Sequence, residues 1–108
     1  MIYEYRVYEA VEGKLENIQS RFRDHTVKLL EKHGAKTIGY WTPEIGDYND
    51  RLIYILAFES SQQRQKAWDD FRSDPEWHRV RDESEANGPI VARVMNTILK
   101  PTDYSPLQ

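Results

Sequence analysis

Apolar and polar positions alternate along the first segment of the chain. Between residues 2 and 9, one face carries Tyr3, Tyr5 and Val7. The opposite face carries Ile2, Glu4, Arg6 and Tyr8. A period of two residues with a high aromatic content is typical of a β-strand. The pattern therefore predicts a first strand over residues 2–9.

A period of three to four residues replaces the alternation after Gly13. The repeating positions are Leu15, Ile18, Phe22, Thr26 and Leu29. This spacing places them on one face of a helix. The pattern stops at Gly34, a residue type that commonly ends helices. A helix of about five turns is predicted between the two glycines.

Two further strands are predicted around a turn-rich segment. Residues 35–42 (AKTIGYWT) read as a second strand, and residues 43–50 (PEIGDYND) are rich in turn formers and predict a hairpin loop. Residues 51–58 (RLIYILAF) are apolar or aromatic at seven of eight positions. Periodicity alone also allows a buried helical segment here. The short length, the Ile and Tyr content and the flanking loops favour a third strand.

The second half of the chain contains helix signals and a last strand. Ser60 or Ser61 can cap a helix whose inner face holds Arg64, Ala67, Trp68 and Phe71. The run Asp74-Pro75-Glu76 then restarts it with an N-cap, a proline in the first turn and an acid near the positive helix end. The inner face continues with Trp77, Val80 and Ser84 and stops at Asn87-Gly88-Pro89. Residues 90–99 predict the final strand, and residues 101–108 an extended or loose tail.

The predicted order β-α-β-β-α-β indicates an α+β, ferredoxin-like fold. Such folds have a four-stranded antiparallel sheet with both helices on one face. At 108 residues the chain is expected to form one domain over residues 1–108. The other sheet face would then expose half of RLIYILAF and several aromatic residues. A large exposed apolar patch is rare in a monomer, so a homodimer packed sheet against sheet is predicted.

Composition excludes several classes of function. The formal net charge of −3 argues against a nucleic-acid surface. The absence of cysteine excludes disulfides, Cys-ligated zinc and a thiol nucleophile. No apolar run approaches the ~20 residues of a membrane span, and the N-terminus has no secretory signal, so a cytoplasmic protein is expected. The three histidines are badly spaced for a dedicated metal site, and no cofactor motif is present.

Short motifs along the chain resemble the NIPSNAP family over roughly residues 3–107. They are Tyr3-Glu4-x-Arg6-x-Tyr8, Gly13, His33-Gly34-Ala35, Gly39-Tyr40-Trp41, Glu44-x-Gly46, Glu59-Ser60, Arg64, Asp74-Pro75-Glu76-Trp77, and Pro101-Thr102 with Ser105-Pro106-Leu107. The resemblance implies the dimeric α+β barrel superfamily. It does not imply a particular reaction, because the family has no settled chemistry. Related barrels include cofactor-free monooxygenases and haem-degrading enzymes with pockets between sheet and helices.

Six residues are candidates for a pocket between the sheet and the helices. They are Arg6, His25, Tyr40, Trp41, Tyr54 and Trp77. Arg6 would anchor an anionic group, and His25 or Tyr54 would transfer a proton. Tyr54 stands where family members often have histidine. The aromatic residues would line the walls for a small aromatic or enolisable ligand.

Each candidate also has a purely structural interpretation. Arg6 can form an ion pair with Glu4 at the dimer seam, and His25 can lie at the surface. The aromatic residues can fill the core. His33 is interpreted as a stabiliser of the preceding helix end. Two functions follow: a homodimeric binding or interaction module, or a cofactor-independent monooxygenase or isomerase acting on a small molecule.

Overall fold

A computed structural model describes residues 1–108 of the chain. Its elements follow the predicted order. They are β1 (Ile2–Ala10), α1 (Leu15–Arg21), a π-helical turn (Phe22–Thr26), α2 (Val27–Lys32), β2 (Lys36–Trp41), β3 (Arg51–Phe58), α3 (Ser61–Arg72), α4 (Pro75–Ser84) and β4 (Val91–Leu99). The third strand has the predicted boundaries, and the other strands begin or end within one residue of them.

The four strands form one antiparallel sheet in the order β2-β3-β1-β4. With the helices this is the ferredoxin-like α+β fold that the sequence predicts. Because β1 is central, its residues have partners on both sides. Arg6 lies opposite Tyr54 of β3 and Asn96 of β4. This register decides which side chains of distant segments become neighbours.

The first helical segment is continuous from α1 to α2, and the π-helical turn interrupts its α-helical geometry. The predicted inner stripe is confirmed: Ile18, Phe22, Thr26 and Leu29 are buried, and Leu15 is partly buried against the same core. π-Helical geometry is rare in proteins and occurs mostly as single turns of this kind inside α-helices. The hydroxyl of Thr26 is buried here without a hydrogen-bond partner.

Local capping explains where the last two helices begin. The Ser60 hydroxyl accepts a hydrogen bond from the backbone N–H of Gln63 at 3.1 Å, so Ser60 caps α3. The carboxylate of Asp74 accepts one from the N–H of Glu76 at 2.9 Å, and Pro75 follows at the first helical position of α4. These contacts satisfy N–H groups that have no partner within the helix.

The helices cover one face of the sheet and enclose the core. The helix-facing side chains of β3 are Leu52, Tyr54, Leu56 and Phe58, all buried. They pack against the inner residues of the helices, including Ile18, Phe22, Leu29, Trp68, Phe71 and Val80.

The opposite sheet face, called here the open face, has no helix over it. Its apolar side chains include Tyr5, Trp41, Ile53, Ile55, Met95 and Leu99, of which Trp41 is 48% exposed. The C-terminal tail covers one end, where the Tyr3 hydroxyl donates to the Gln108 carbonyl at 2.6 Å. No helix has the length and apolar character needed to cross a membrane.

Candidate functional site

A fully buried carboxylate, Glu4, lies between β1 and α3. It accepts hydrogen bonds from two α3 side chains, Arg64 (2.8 and 3.0 Å) and the Trp68 indole N–H (2.8 Å). Two strand residues donate as well, Arg6 at 2.9 Å and Asn96 at 3.0 Å. The five bonds use the full acceptor capacity of the carboxylate, which has about four lone-pair sites. They leave it little freedom to bind anything else.

Donors around Glu4 determine its charge state. Burial would raise the pKa of the carboxyl group, but the hydrogen bonds from Arg64 and Trp68 and the positive charge of Arg6 lower the pKa to about 2. Glu4 is therefore ionised at neutral pH, as a carboxylate in this setting should be. The two guanidinium groups exceed its single charge, which leaves the cluster net positive.

The placement of Glu4 and Arg6 corrects the interpretation that puts them at a dimer seam. Both side chains face the helices, because the alternation of β1 directs Glu4, Arg6 and Tyr8 to the same side as Tyr54. The open face receives Tyr3, Tyr5 and Val7 instead. Sequence alternation separates the two sets of residues, but it does not tell which set the helices cover.

Arg6 joins the buried carboxylate to a group of aromatic rings. Its Nε donates to the Tyr54 hydroxyl at 2.7 Å, and its Cζ lies 4.4 Å from the centre of the Trp68 ring. Tyr54 stacks on Tyr40 with centroids 5.2 Å apart. Phe22 and Tyr8 complete the set, at 5.2 and 5.7 Å from Tyr54. These four rings are called the aromatic cluster below.

Neither of the two predicted pocket tyrosines, Tyr40 and Tyr54, is suited to act as a base. Burial and the neighbouring Tyr8 raise the pKa of Tyr54, and the charge of Arg6 does not reverse this. Burial and the nearby Glu31 raise the pKa of Tyr40. Both phenols therefore stay protonated at neutral pH. The Tyr54 oxygen already accepts the Arg6 hydrogen bond, whereas the Tyr40 hydroxyl is buried without a partner.

Of the six candidate residues, the structure brings three together. Arg6, Tyr40 and Tyr54 are in one cluster, as described above. Trp77 packs within the helix layer, 4.7 Å from the Phe71 ring. Trp41 lies on the open face, where its ring is close to Gly39; a Cβ at that glycine would lie 2.6 Å from it. These placements divide the proposed pocket residues between two faces.

His25 lies apart from the other candidates. It lines a polar groove of about 330 Å³ between α1 and α4. A different, more apolar cleft of about 210 Å³ lies beside the aromatic cluster, with Phe22, Val27, Tyr40 and Leu52 among its walls. The residues that were expected to share one pocket are therefore associated with two separate depressions of the surface.

His33 has a different partner from the one predicted. The sequence suggests that it stabilises its own helix end, and its backbone does lie at the end of α2. Its imidazole Nε2, however, lies 2.7 Å from Oδ2 of Asp74, which also accepts a hydrogen bond from Lys32 at 2.9 Å. The contact joins the end of α2 to the start of α4.

Three residues that donate to Glu4 are not among the six predicted pocket residues: Arg64, Trp68 and Asn96. Another residue outside the prediction, Arg21, lies apart from them in the polar groove that His25 lines. Asn96 reaches Glu4 only through the pairing of β1 with β4, which no local motif indicates. Arg21 follows the inner position Ile18 by three residues, and this spacing could have marked it as inward-facing. The structure contains no group of three or more His, Asp or Glu side chains arranged to hold a metal ion.

Comparison with known proteins identifies relatives along the whole length. The NIPSNAP family model matches residues 3–106. A NIPSNAP family protein with unknown function from Agrobacterium tumefaciens is 27% identical, with a TM-score of 0.86 over 100% of this chain and 94% of that one. An uncharacterized NIPSNAP domain protein from Burkholderia xenovorans is 19% identical, with a TM-score of 0.84 over 98% and 99% of the two chains.

More distant structures share only the fold. SnoaB, a cofactor-independent oxygenase from Streptomyces nogalater, is 10% identical, with a TM-score of 0.65 over 97% of this chain and 96% of that one. The comparison with curated proteins finds no significant match.

Proposed function

The chain belongs to the NIPSNAP family, and we propose that it works as a homodimeric binding module without catalysis. One contrast between the two sheet faces supports this most directly. On the helix-facing side, Glu4, Arg6 and Tyr54 satisfy one another by hydrogen bonds. On the open face, large apolar side chains remain uncovered.

The state of the two predicted proton-transfer residues also favours binding over catalysis. General acid–base catalysis needs a group whose pKa lies near the working pH. The raised pKa of Tyr54 takes it far from that range, and its oxygen is already occupied by Arg6. His25, the other candidate, lies in a different groove. Neither of the two predicted proton-transfer residues is therefore suited to that role beside Arg6.

A second copy of the chain is the occupant that best fits the open face. Tyr5, Trp41 and Leu99 are exposed members of the apolar set on the open face. Ion pairs border this region: Glu9 lies 3.1 Å from Arg93 and 3.6 Å from Arg51. In a two-fold dimer the same surface contributes twice, and apolar centres with polar rims are common in such interfaces.

Light scattering after size exclusion tests the dimer. The parent is expected at twice the 12.8 kDa chain mass at micromolar concentration. Ile55→Asp places a charge on the open face and should give monomer. Ile45→Asp is the matched control, because Ile45 is 95% exposed in the β2–β3 loop and the variant should remain dimeric.

A monomeric parent would contradict the proposal. If Ile55→Asp fails to fold by circular dichroism, Trp41→Lys tests the same face at its edge, where Trp41 is 48% exposed. A folded Trp41→Lys variant that dimerises as tightly as the parent would place the interface elsewhere.

A second candidate function is a cofactor-independent enzyme, as in the oxygenase SnoaB. The cleft beside the aromatic cluster favours it, because its walls are mainly apolar and include Tyr40. An oxygen electrode and a panel of enolisable aromatic compounds test this function. Oxygen consumption that is lost in the Tyr40→Phe variant would support catalysis, and its absence for the whole panel would leave the binding module.

A further inference from the structure

The polar groove between α1 and α4 has a buried cation on its lining. The Arg21 side chain is only 4% exposed, although it lines a groove of about 330 Å³. Its Nη1 donates to the Ser84 hydroxyl at 3.2 Å, and its Cζ lies 5.1 Å from the centre of the Trp77 ring. The Nε of Arg21 is buried and has no hydrogen-bond partner. A buried N–H donor without a partner is costly, and few exist in native proteins.

The charge of Arg21 is only partly compensated within the chain. The nearest carboxylate oxygen belongs to Glu85, at 3.6 Å and outside ordinary hydrogen-bond range. Burial lowers the pKa of Arg21 by more than the neighbouring Tyr8 and Glu85 raise it. A buried guanidinium with an unpartnered Nε and incomplete charge compensation is suited to bind an anionic group.

The rim of the groove has the opposite charge. Glu16, Asp24 and Glu83 all line it. Two of these acids are engaged on the surface, Glu16 with Arg23 at 3.5 Å and Glu83 with Arg79 at 3.3 Å. Asp24 takes part in neither pair, which leaves one acid of the rim without a cation.

We propose that this groove binds a small zwitterion carrying one carboxylate and one ammonium group, with the chemistry of a free α-amino acid. The carboxylate of the ligand contacts the Arg21 guanidinium and accepts a hydrogen bond from the Ser20 hydroxyl. The ammonium group contacts Asp24 at the rim. His25 lies beside Asp24 as a further polar wall.

Charge complementarity selects the zwitterion over simpler ions. A plain anion would satisfy Arg21 but would meet the acids of the rim, and like charges at such distances repel. A plain cation would satisfy Asp24 but leave the Arg21 Nε unpartnered. A ligand with both groups satisfies both ends, and charge-assisted hydrogen bonds of this kind are the stronger ones.

The site is independent of the proposed dimer. The groove lies in the helix layer, and the open face lies on the opposite side of the sheet. The groove can therefore be occupied or empty whichever way the light-scattering experiment ends.

Titration of the 15N-labelled full chain with a mixture of the twenty amino acids, followed by NMR, tests the proposal. We expect amide shifts to concentrate in α1, the π-helical turn and the end of α4. The best amino acid is then compared with its N-acetyl and its carboxamide forms, which each lack one charge. Both derivatives should bind about tenfold more weakly, since each loses one charge-assisted contact.

Two variants and a control complete the test. Asp24→Asn should weaken binding about tenfold, and Arg21→Lys at least as much, because lysine lacks the planar donor group. Asp103→Asn removes an exposed acid of the tail and should bind like the parent. If Arg21→Lys does not fold, the exposed Asp24→Asn variant still decides. No shifts at millimolar concentration, or binding of either derivative as tight as that of the free amino acid, would overturn the proposal.

Discussion

Two tyrosines of the aromatic cluster differ in what their hydroxyl groups contact. The Tyr54 hydroxyl accepts a hydrogen bond from Arg6, whereas the Tyr40 hydroxyl is buried without a partner. Their rings stack on each other, although Tyr54 is fully buried and Tyr40 is only partly buried. Both hydroxyl oxygens are nevertheless buried, so the pair compares a hydrogen-bonded hydroxyl with an unpartnered one.

Removing each hydroxyl should have opposite effects on stability. Tyr54→Phe leaves the buried Nε of Arg6 unpartnered and should lower the free energy of unfolding by about 1–3 kcal/mol. Tyr40→Phe removes an unsatisfied polar atom, so its free energy of unfolding should stay level or rise by up to about 1 kcal/mol. Urea denaturation measures both. Equal losses in the two variants would contradict the assignment of the Arg6 bond to Tyr54 alone.

The lowered pKa of Glu4 predicts how stability depends on pH. Its pKa is lowered from 4.5 to about 2 in the folded chain, so folding favours the ionised carboxylate. This contribution is fully present above the unfolded pKa of 4.5 and is lost as the pH falls towards 2. The free energy of unfolding of the parent should therefore drop over this range.

The Glu4→Gln variant isolates that contribution. At neutral pH it leaves Arg6 and Arg64 without their counter-charge and should cost about 3–5 kcal/mol, as breaking a buried ion pair usually does. The difference in the free energy of unfolding between parent and variant should narrow as the pH falls from 5 to 2, because protonation of Glu4 removes its contribution in the parent. Glu59→Gln, an exposed acid, is the control and should follow the parent curve. A gap that stays constant with pH would show that Glu4 is not the titrating group.

At the scale of elements, Asp74 has two roles that can be separated. It caps α4 through the N–H of Glu76, and it joins α2 through His33 and Lys32. The hydrogen bonds from Lys32 and His33 lower the pKa of Asp74, so it is ionised at neutral pH. Ser60 caps α3 through a single contact and has no such second role.

Substitutions at the two caps should therefore differ in effect. Ser60→Ala should reduce the free energy of unfolding by about 1 kcal/mol, the usual cost of losing an N-cap. Asp74→Ala should cost more, because it also breaks the contact between α2 and α4. Asp74→Asn keeps the cap and loses the charge, so its melting temperature should fall between those of the parent and Asp74→Ala. If Asp74→Asn has the same melting temperature as the parent, the ionic contact with α2 does not contribute to stability.

At the scale of the whole molecule, the uncovered sheet face connects assembly to stability. A dimer that forms only from folded chains adds a concentration term to the free energy of unfolding. The melting temperature of the parent should rise with protein concentration from micromolar to millimolar. Folded Trp41→Lys should show a weaker rise or none. A parent melting temperature independent of concentration would count against dimerisation through the open face.

Local sequence determined the elements and where they start and stop. The period of two in β1, the inner stripe from Ile18 to Leu29, and the caps at Ser60 and Asp74 all depend on neighbours within a few residues. Such interactions have the same geometry wherever the segment lies in the fold. For this reason the order of elements, the ferredoxin-like class and the family were readable from the sequence.

Tertiary structure alone decided which residues share a site. The five donors of Glu4 come from β1, α3 and β4, and they meet only because strand register and helix docking place them together. The same docking put Glu4 and Arg6 under the helices, Trp41 on the open face and His25 in a separate groove. Alternation along a strand carries no information about which face the helices cover, because that choice depends on the packing of the whole chain.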